Sequence, residues 1–366
     1  MIDMAGTFAV DRDRWLGYRW LKHGLGGKAA KDVLDDLLVL GLQGSRQSNG
    51  EQALSQRVTR IGSTGVANAI APDGPLVCIW SLRGAPHAHR AEQLDLVRDA
   101  LAPLESDDGG TRFVEAVDEV AEALTRIVKG KTPKGDASRE VAETVSSSLV
   151  QYCERCKAKH IADGLFRAAG RQAQVVIGPE DNRATMLYPR PRVKQDLVRD
   201  PRAQLLRTFF RVNGPTSRTL YRDWQEAGTA GVGELWNAMG VDLVLVEIAK
   251  KRYDLPESLA DAVQKARPAK GVALVPPNDP YVRQVDRALL VPDSARRQKI
   301  FKALSGPGAL LVDGEIAGSW RYRRSDAEVT IDTFGKLEPA QKQAAEKSAK
   351  AVATSTGDDE PTVSWS

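Results

Sequence analysis

Residues 201–255 decide the fold, and they read PRAQLLRTFFRVNGPTSRTLYRDWQEAGTAGVGELWNAMGVDLVLVEIAKKRYDL. The apolar spacing predicts one helix in PRAQLLRTFFRVN and another in TLYRDW, because residues three and four positions apart share a helical face. Gly214-Pro215 separates the two helices, and Thr216 or Ser217 is placed to cap the second one. VGELWNAMG predicts a third helix, and VDLVLVEIAKKRYDL predicts two strands. The stretch therefore predicts three helices followed by a β-hairpin.

The same order of elements recurs earlier in the chain. Residues 112–130 predict an amphipathic helix, KGKTPKGDAS is a basic loop, and Asp136 or Ser138 could cap a helix that continues toward Val150. CERCKAKHIADGLFRAAG predicts a further helix, and AQVVIGPEDNRATMLY predicts two strands around a polar turn. Three helices and a two-stranded wing are typical of a winged helix, a variant of the helix-turn-helix.

The first 100 residues predict helices closed by a short sheet. DRDRWLGYRWLKHGL and KDVLDDLLVLGLQ each place apolar side chains on one helical face, and another helix is predicted over Gln52–Val58. GPLVCIWSLRG predicts a strand that ends at Gly84, APHAH supplies turn residues, and a helix is predicted over Ala91–Ala100. We interpret this segment as a first winged-helix-like module.

The clearest β segment is GPGALLVDGEIAGSWRYRRSDAEVTIDTFG, residues 306–335. Asp313-Gly314 indicates a tight hairpin between apolar runs, and Ser325–Ala327 indicates a second turn. A helix near Glu338–Val352 is expected to pack behind these strands. The residues from Ala353 onward carry too few apolar side chains to order themselves.

These predictions give an α+β fold that is built from tandem winged-helix modules and a C-terminal β-hairpin region. The predicted divisions of the chain are 12–105, 112–192 and 198–270 for the three modules, 271–352 for the β-rich region and 353–366 for a disordered tail.

The net charge of +4 is small but unevenly placed. Between Arg183 and Arg222 there are ten Arg or Lys against two Asp, a net charge of +8, which leaves −4 for the rest of the chain. Such asymmetry suggests a polyanionic partner on one side of the molecule. A solvated, arginine-rich linker is the alternative.

The composition excludes several other classes of protein. No apolar run is long enough to span a bilayer, and the start MIDMAGTFAVDRDRW lacks the apolar region of a signal peptide. Three cysteines form no disulfide framework, so we expect a cytoplasmic protein. Cys153, Cys156 and His160 resemble part of a metal site, but no second ligand pair lies at zinc-finger spacing, and no metal is predicted. The chain has neither a phosphate-binding GxxxxGK[ST] loop nor a nucleophile elbow, so neither a nucleotide cofactor nor serine-hydrolase chemistry is expected.

Six phrases, in order along the chain, resemble the winged-helix DNA glycosylases typified by AlkZ. They are RWLGYRWLKHGL, LGLQGSRQS, IWSLRGAPHAH, NGPTSRTLYRDW, ALVPPNDPYVRQVDRALLVPD and GALLVDGEIAGSWRYRR. No single phrase is diagnostic, but the ordered set covers about residues 12–350. The resemblance implies a C-shaped, monomeric body whose concave basic face holds double-stranded DNA. It also implies DNA repair by hydrolysis of the N-glycosidic bond of alkylated purines, including bulky or crosslinked N7 adducts, without a cofactor.

The catalytic motif of that family is a glutamine, one intervening residue, and then a glutamine or an aspartate. Gln43 matches the first position and Gly44 the middle one, whereas Ser45 departs from both versions of the third. Alkylation at N7 makes the purine a cation that leaves as a neutral base, so the protein mainly has to orient a water and stabilise an oxocarbenium-like transition state. A glutamine carbonyl oxygen can hold such a water. Gln43 could instead contact DNA or be structural, and Ser45 could be a small turn residue.

Three further residues are candidates for the site. Arg83 and His87 match the family's phrase after the first strand, and a histidine beside DNA can bind a phosphate or hold a water. Arg83 is expected to contact phosphate or form a salt bridge. Asp279 matches a recurring acidic position and could supply the carboxylate that Ser45 lacks, although an Asx-turn beside Pro280 is equally compatible.

A second set of residues is predicted to contact the phosphates of DNA. These residues are Arg83, Arg190, Arg192, Arg202, Arg211, Arg283, Arg287, Arg321 and Arg323. The altered third motif position leaves a non-catalytic DNA-binding protein, such as a transcriptional regulator, as the alternative function. A module that binds other proteins is a third hypothesis.

Overall fold

The structure, a computed structural model, is a mixed α and β protein. It describes residues 7–26, 29–44, 49–106, 109–154, 157–225, 229–283, 286–302 and 305–366. None of the helices in these ranges is long and apolar enough to cross a membrane.

The N-terminal segment, residues 7–100, places short helices against the edge of a sheet. Its elements are β1 (Thr7–Ala9), α1 (Arg12–Lys22), α2 (Lys31–Leu40), β2 (Leu42–Gln43), α3 (Asn49–Ser55), β3 (Arg60–Ile61), β4 (Thr64–Gly65), β5 (Leu76–Trp80), β6 (Pro86–Arg90) and α4 (Leu94–Ala100). Strand β6 pairs with β5 on one side and with β2 on the other. The prediction that APHAH forms a turn is therefore wrong. Its two histidines find hydrogen-bond partners inside the protein, so a polar stretch can lie in the middle of a buried sheet.

The second segment, residues 110–189, extends that sheet. Its elements are α5 (Gly110–Ile127), β7 (Thr132–Pro133), α6 (Lys134–Thr144), β8 (Val150–Cys153), β9 (Ala158–Ile161), α7 (Asp163–Gln172), β10 (Val175–Asp181) and β11 (Ala184–Pro189). Strand β10 pairs with β5, which gives six strands in the order β2-β6-β5-β10-β11-β7. The two strands predicted in AQVVIGPEDNRATMLY are confirmed as β10 and β11.

Two local predictions in the second segment are wrong. The helix predicted from Cys153 begins only at Asp163, because the preceding residues form the antiparallel hairpin β8–β9. Helix α6 begins at Lys134, so neither Asp136 nor Ser138 caps it. Its N-cap residue is Pro133, whose ring fixes φ near the helical value.

The third segment, residues 201–264, confirms the three helices and hairpin predicted for residues 201–255. Its elements are α8 (Pro201–Asn213), α9 (Arg218–Gln225), α10 (Thr229–Ala238), β12 (Leu243–Ile248), β13 (Lys251–Pro256) and α11 (Ala260–Gln264). The Ser217 hydroxyl accepts a hydrogen bond from the Leu220 amide at 3.3 Å, at the start of α9. Thr216 bridges to Asp254 of β13 through two main-chain hydrogen bonds.

One arrangement therefore occurs three times in the chain. A helix leads into a short extended stretch, a second helix follows, and the extended stretch pairs with the last strand of a hairpin. The extended stretches are β2, β7 and Thr216, and the last strands are β6, β11 and β13.

The C-terminal segment, residues 272–365, forms a separate five-stranded sheet in the order β14-β15-β16-β17-β18. Its elements are β14 (Val272–Val275), α12 (Pro280–Arg283), α13 (Arg287–Leu290), α14 (Ser294–Ile300), β15 (Gly308–Val312), β16 (Glu315–Arg323), β17 (Glu328–Thr333), α15 (Pro339–Thr354) and β18 (Thr362–Trp365). Asp313 and Gly314 have φ values of 49° and 83° between β15 and β16, which confirms the tight hairpin. The expected helix behind the sheet is α15, which packs its buried alanines into the same apolar cluster as the strands.

The prediction of a disordered tail from Ala353 is wrong. Strand β18 pairs in parallel with β17, and Val363 and Trp365 pack against the C-terminal apolar cluster. The Trp365 indole donates a hydrogen bond to Glu346 at 3.2 Å. Main-chain pairing and two apolar side chains are enough to order a segment whose composition alone is polar.

A fully buried ion pair joins the N-terminal and C-terminal segments. Both side chains of the pair, Arg57 and Asp279, have no exposed surface, and two parallel hydrogen bonds of 2.9 and 2.8 Å connect them. Arg57 also donates to the carbonyl oxygens of His23 and Ala53, and the Asp279 carboxylate accepts from the Tyr281 amide at 2.9 Å. The pair therefore fixes α3 relative to the start of α12.

A second buried arginine lies nearby and connects three segments. Arg19 of α1 donates to the Asn213 side chain at the end of α8 and to the Tyr281 carbonyl, at 2.8 and 2.7 Å. Its guanidinium also lies over the rings of Trp15 and Tyr281, at 5.4 and 5.1 Å from their centroids.

We expect Asp279→Ala to lower the free energy of unfolding by about 3–5 kcal/mol, because it leaves the buried Arg57 charge without a partner. Urea denaturation would measure the loss. Asp261→Ala is the matched control, since its partner Lys265 and Asp261 itself are 75% and 77% exposed, and it should cost no more than about 1 kcal/mol. Equal stabilities for the two variants would contradict a joining role for the buried pair.

Candidate functional site

Gln43 and His87 face each other across the pairing of β2 with β6. Directly opposed residues of antiparallel strands project from the same face of the sheet, so the two side chains are neighbours. Gly41 permits this pairing, because a side chain there would meet the His89 ring at 2.5 Å and the backbone has φ +81°. The Gly44 amide then donates to the Pro86 carbonyl at 2.9 Å and holds the end of β2 against β6.

Arg83 orients the Gln43 amide group. It donates one hydrogen bond to the Gln43 side-chain oxygen and another to the Trp224 carbonyl, both at 3.1 Å. Arg83 has φ 55°, an uncommon backbone conformation for a residue other than glycine, and such strain is concentrated at functional sites. An amide oxygen has two lone pairs, so Gln43 can accept a further hydrogen bond from a water.

The two histidines of β6 differ in their hydrogen bonds. His89 is satisfied on both ring nitrogens, because Nδ1 bonds the Leu38 carbonyl at 2.8 Å and Nε2 bonds the Ser81 hydroxyl at 3.0 Å. His87 bonds the Ala85 carbonyl through Nδ1 at 2.9 Å, which requires the proton to be on Nδ1. Its Nε2 lone pair has no hydrogen-bond partner among the described residues. His89 is therefore structural, whereas His87 retains an acceptor next to Gln43.

Burial keeps both histidines neutral. Desolvation, together with the neighbouring His89 and the positive charges of Arg83 and Arg283, holds the pKa of His87 well below its usual value. Desolvation also lowers the pKa of His89, to about 4. His87 can therefore act as a neutral hydrogen-bond acceptor near pH 7.

A row of cations adjoins this pair and forms what we call the basic surface. It consists of three adjoining cavities of about 570, 520 and 740 Å³. The cationic side chains that line it are Arg83, Arg283, Arg287, Arg297, Lys299, Lys302, Arg321, Arg323 and Arg324. Three aspartates, Asp223, Asp286 and Asp332, lie among them, so the surface is strongly cationic.

The structure brings together five of the arginines that the sequence predicted as DNA contacts. They are Arg83, Arg283, Arg287, Arg321 and Arg323, which all line the basic surface. Sequence reasoning missed Arg297, Lys299 and Lys302. The cluster RRQK in SARRQKIFK was the available signal, because it follows the helix-capping residue Asp293 and places several cations on one short helix.

The other four predicted contacts lie elsewhere. Arg190 pairs with Asp95 at 2.7 Å, and it lines a different cavity together with Arg192. Arg211 pairs with Asp36 at 2.7 Å, and Arg202 donates to the Ala102 carbonyl. Three of these four arginines therefore bind the protein itself, and carboxylates offset two of their charges. A role for these four residues in DNA binding stays a prediction.

Asp279 does not join Gln43 and His87. Its side chain has no exposed surface, and Arg57 and the Tyr281 amide use both of its oxygens. This geometry matches the Asx-turn alternative and gives no support to a carboxylate that reaches a water at the site. Ser45 lies outside the described residues.

Within the described ranges, no group of three or more His, Cys, Asp and Glu side chains could hold a metal ion. Cys156 of the partial CxxC motif lies outside those ranges. The candidate site is therefore an uncharged glutamine–histidine pair beside a cationic surface, in a mixed α+β protein.

Comparison with known proteins identifies the family of the chain. The model that describes the DNA glycosylase AlkZ-like family matches residues 35–355, and the chain therefore belongs to that family. The solved structure of Streptomyces sahachiroi DNA glycosylase AlkZ has a TM-score of 0.73 at 16% identity, over 98% of this chain and 100% of that one. At this identity the likeness establishes a shared fold. No curated protein matches the chain by sequence. The family resemblance predicted from the six phrases is confirmed.

We expect stability to fall as the pH drops below about 6.5, the usual pKa of histidine. His23, His87 and His89 have folded-state pKa values below that of the unfolded chain, so the unfolded state binds more protons in this window. Each histidine should contribute on the order of 1 kcal/mol per pH unit, lost progressively as the pH falls. Urea denaturation between pH 7.5 and 5.0, above the range where most carboxylates titrate, would measure the slope. A flat or inverted profile would contradict buried neutral histidines.

Proposed function

We propose that the protein is a monofunctional DNA glycosylase that hydrolyses the N-glycosidic bond of alkylated purines in duplex DNA. The observation that carries the proposal is the Gln43–His87 pair at the edge of the basic surface, in a chain that belongs to the AlkZ-like family. The reaction needs no metal or nucleotide cofactor, and we expect the protein to act as a monomer.

The threefold arrangement supports a body of tandem winged helices. In each copy the extended stretch between the first two helices pairs with the last strand of the hairpin, at β2–β6, β7–β11 and Thr216–β13. We assign these copies to residues 12–105, 112–192 and 198–270, followed by the β-rich region 271–352, which β18 extends to residue 365. A C-shaped body with the basic surface on its concave side would place the phosphates against arginine and lysine.

The uncharged pair suits a cationic leaving group. The alkylated base already carries a positive charge, so a protonated histidine would add repulsion without assisting its departure. Neutral His87 offers Nε2 as an acceptor, and the Gln43 oxygen offers another. Two acceptors on one face can hold a water by its two hydrogens, with its lone pair directed at the sugar carbon C1′.

The discriminating experiment is base excision from DNA that contains 7-methylguanine. We expect abasic sites to form under enzyme excess, at a rate above the spontaneous loss of the base. Gln43→Ala should slow single-turnover excision by about 10²-fold or more, because it removes one of two groups that orient the water. His89→Gln is the control for disturbance of the sheet, and its folded fraction should be measured alongside its excision rate.

Two outcomes would count against parts of the proposal. No excision by the wild-type chain, together with a salt-dependent footprint on undamaged DNA, would identify a non-catalytic DNA-binding protein, which the departure at Ser45 also favours. Full excision by Gln43→Ala would remove that residue from the mechanism and leave the function in place.

We expect the double variant Arg287→Ala/Arg321→Ala to weaken DNA binding alike on all sequences. It should reduce the slope of log K against log salt concentration by about 2, because each lost phosphate contact accounts for about 1. Fluorescence anisotropy on one duplex from 50 to 200 mM salt would measure the slope. Arg211→Ala tests the other group of arginines, and it should leave the slope unchanged because Asp36 already binds that side chain. If Arg211→Ala lowered the slope and the double variant did not, the DNA-binding face would lie outside the basic surface.

A further inference from the structure

The two-stranded hairpin β8–β9 lies immediately before helix α7 in the second segment. Its base is anchored, because Val150 and Ile161 pack in the apolar cluster of that segment. Beyond the base, Tyr152 is 55% exposed and lies directly opposite Lys159, which is exposed as well. Within the part of the chain that the structure describes, β8 and β9 pair with no third strand. The outer part of the hairpin is therefore a narrow ribbon with an aromatic side chain and a cation at its surface.

The hairpin takes the place of the turn in a helix-turn-helix. In the second module as assigned above, α6 and α7 are the second and third helices, and β8–β9 lies between them. The recognition helix of such a motif contacts DNA with its N-terminal residues. Helix α7 begins at Asp163, two residues after β9 ends at Ile161. The hairpin is thus next to the part of the module that is expected to face DNA.

Ion pairs connect the base of the hairpin with the candidate site. Lys134 and Arg167 both bind the Asp163 carboxylate, at 2.9 and 2.7 Å. Arg167 also donates a hydrogen bond to the Gly84 carbonyl at 3.1 Å, and Gly84 follows Arg83 in the chain. Because Arg83 lines the basic surface and holds the catalytic candidate glutamine, these contacts place the hairpin base close to both.

The cations near the hairpin continue the basic surface at one of its ends. The cavity that Arg83 lines shares two arginines with the middle cavity, and it shares no residue with the cavity beside the β16–β17 turn. The two cations that bind Asp163 therefore extend the row past the end that is opposite this turn. On the hairpin itself, Lys157 and Lys159 are accompanied by one described carboxylate, Glu154. The positive charge thus reaches from the β16–β17 turn to the hairpin.

We propose that the β8–β9 hairpin contacts the backbone of duplex DNA, with Lys159 on a phosphate and Tyr152 against the neighbouring sugar. This inference rests on the proposed function, since the duplex is the substrate. Lysine and tyrosine side chains both bind phosphates and sugars, and such contacts position a protein on DNA without reading its sequence. The candidate site lies between the hairpin and the β16–β17 turn in the row of cations. Contacts at both ends therefore hold the duplex in register with Gln43 and His87.

The test is binding of an undamaged duplex by the double variant Tyr152→Ala/Lys159→Ala, measured by fluorescence anisotropy from 50 to 200 mM salt. We expect weaker binding and a slope of log K against log salt concentration that is lower by about 1, because one phosphate contact is lost. Single-turnover excision at saturating enzyme should stay within about twofold of the wild type, because the hairpin acts on binding and not on the reacting atoms. Lys347→Ala is the matched control. Lys347 is exposed on α15 and lines none of the three cavities, so its loss should leave the slope unchanged.

Photocrosslinking separates a direct contact from a change in the fold. A benzophenone side chain in place of Tyr152 should crosslink to the duplex under ultraviolet light. The same group in place of Phe113, which is 37% exposed at the start of α5, should not. The variant Tyr152→Ala/Lys159→Ala should keep the urea midpoint of the wild type, because both side chains are exposed.

The outcomes distinguish this inference from the proposed function. An unchanged slope, or a crosslink at position 152 no stronger than that at position 113, would overturn the hairpin contact while excision stands. A wild-type chain that binds the duplex through the hairpin but excises no 7-methylguanine would overturn the proposed function and support the contact. A wild-type chain that binds no duplex would overturn both.

Discussion

The buried ion pair between Arg57 and Asp279 is the constraint on which the arrangement of the molecule depends. A charge without exposed surface must be paired and hydrogen-bonded, or the folded state loses several kcal/mol. The pair therefore allows one relative position of α3 and the start of α12. Arg19 adds a second constraint of the same kind, because it ties α1 to the end of α8 and to Tyr281. Segments that are far apart in sequence are thus held by charges that water cannot reach.

The location of the candidate site follows from this constraint. Helix α3 follows the Gln43 strand, and Asn49 at its start donates a hydrogen bond to the Pro277 carbonyl at 3.2 Å. The cavities of the basic surface lie along the same junction, with Asn49 and Pro277 in two of them. Asp279, for which the sequence left open a catalytic carboxylate or an Asx-turn, thus holds the N-terminal and C-terminal segments together beside these cavities. A recurring acidic position can be explained by architecture as well as by catalysis.

The electrostatics of the proposed site are divided between two adjacent regions. Arginines and lysines from α12 to the β16–β17 turn supply positive charge suited to phosphates, whereas the Gln43–His87 pair carries none. Burial produces this division, because it suppresses the protonation of His87, and the positive charges of Arg83 and Arg283 act in the same direction. A site of this kind can bind the phosphates of a polyanion with its cationic cavities and release a cationic base from the uncharged pair, because most of the positive charges lie in the cavities and not on the pair.

The sequence by itself determined the local elements and the family. Strong apolar periodicity gave α1, α2, α5 and α8, the Asp313-Gly314 turn gave the β15–β16 hairpin, and the ordered phrases identified the AlkZ-like family. Composition failed where strand pairing orders polar residues, as in the His87 strand, the β8–β9 hairpin and the C-terminal strand. Only the tertiary structure decided which arginines share one surface, that His87 keeps a ring nitrogen available while His89 does not, and that Asp279 is paired with Arg57. Such properties depend on hydrogen bonds and burial between residues far apart in the chain, 222 positions for Arg57 and Asp279, which local sequence patterns do not encode.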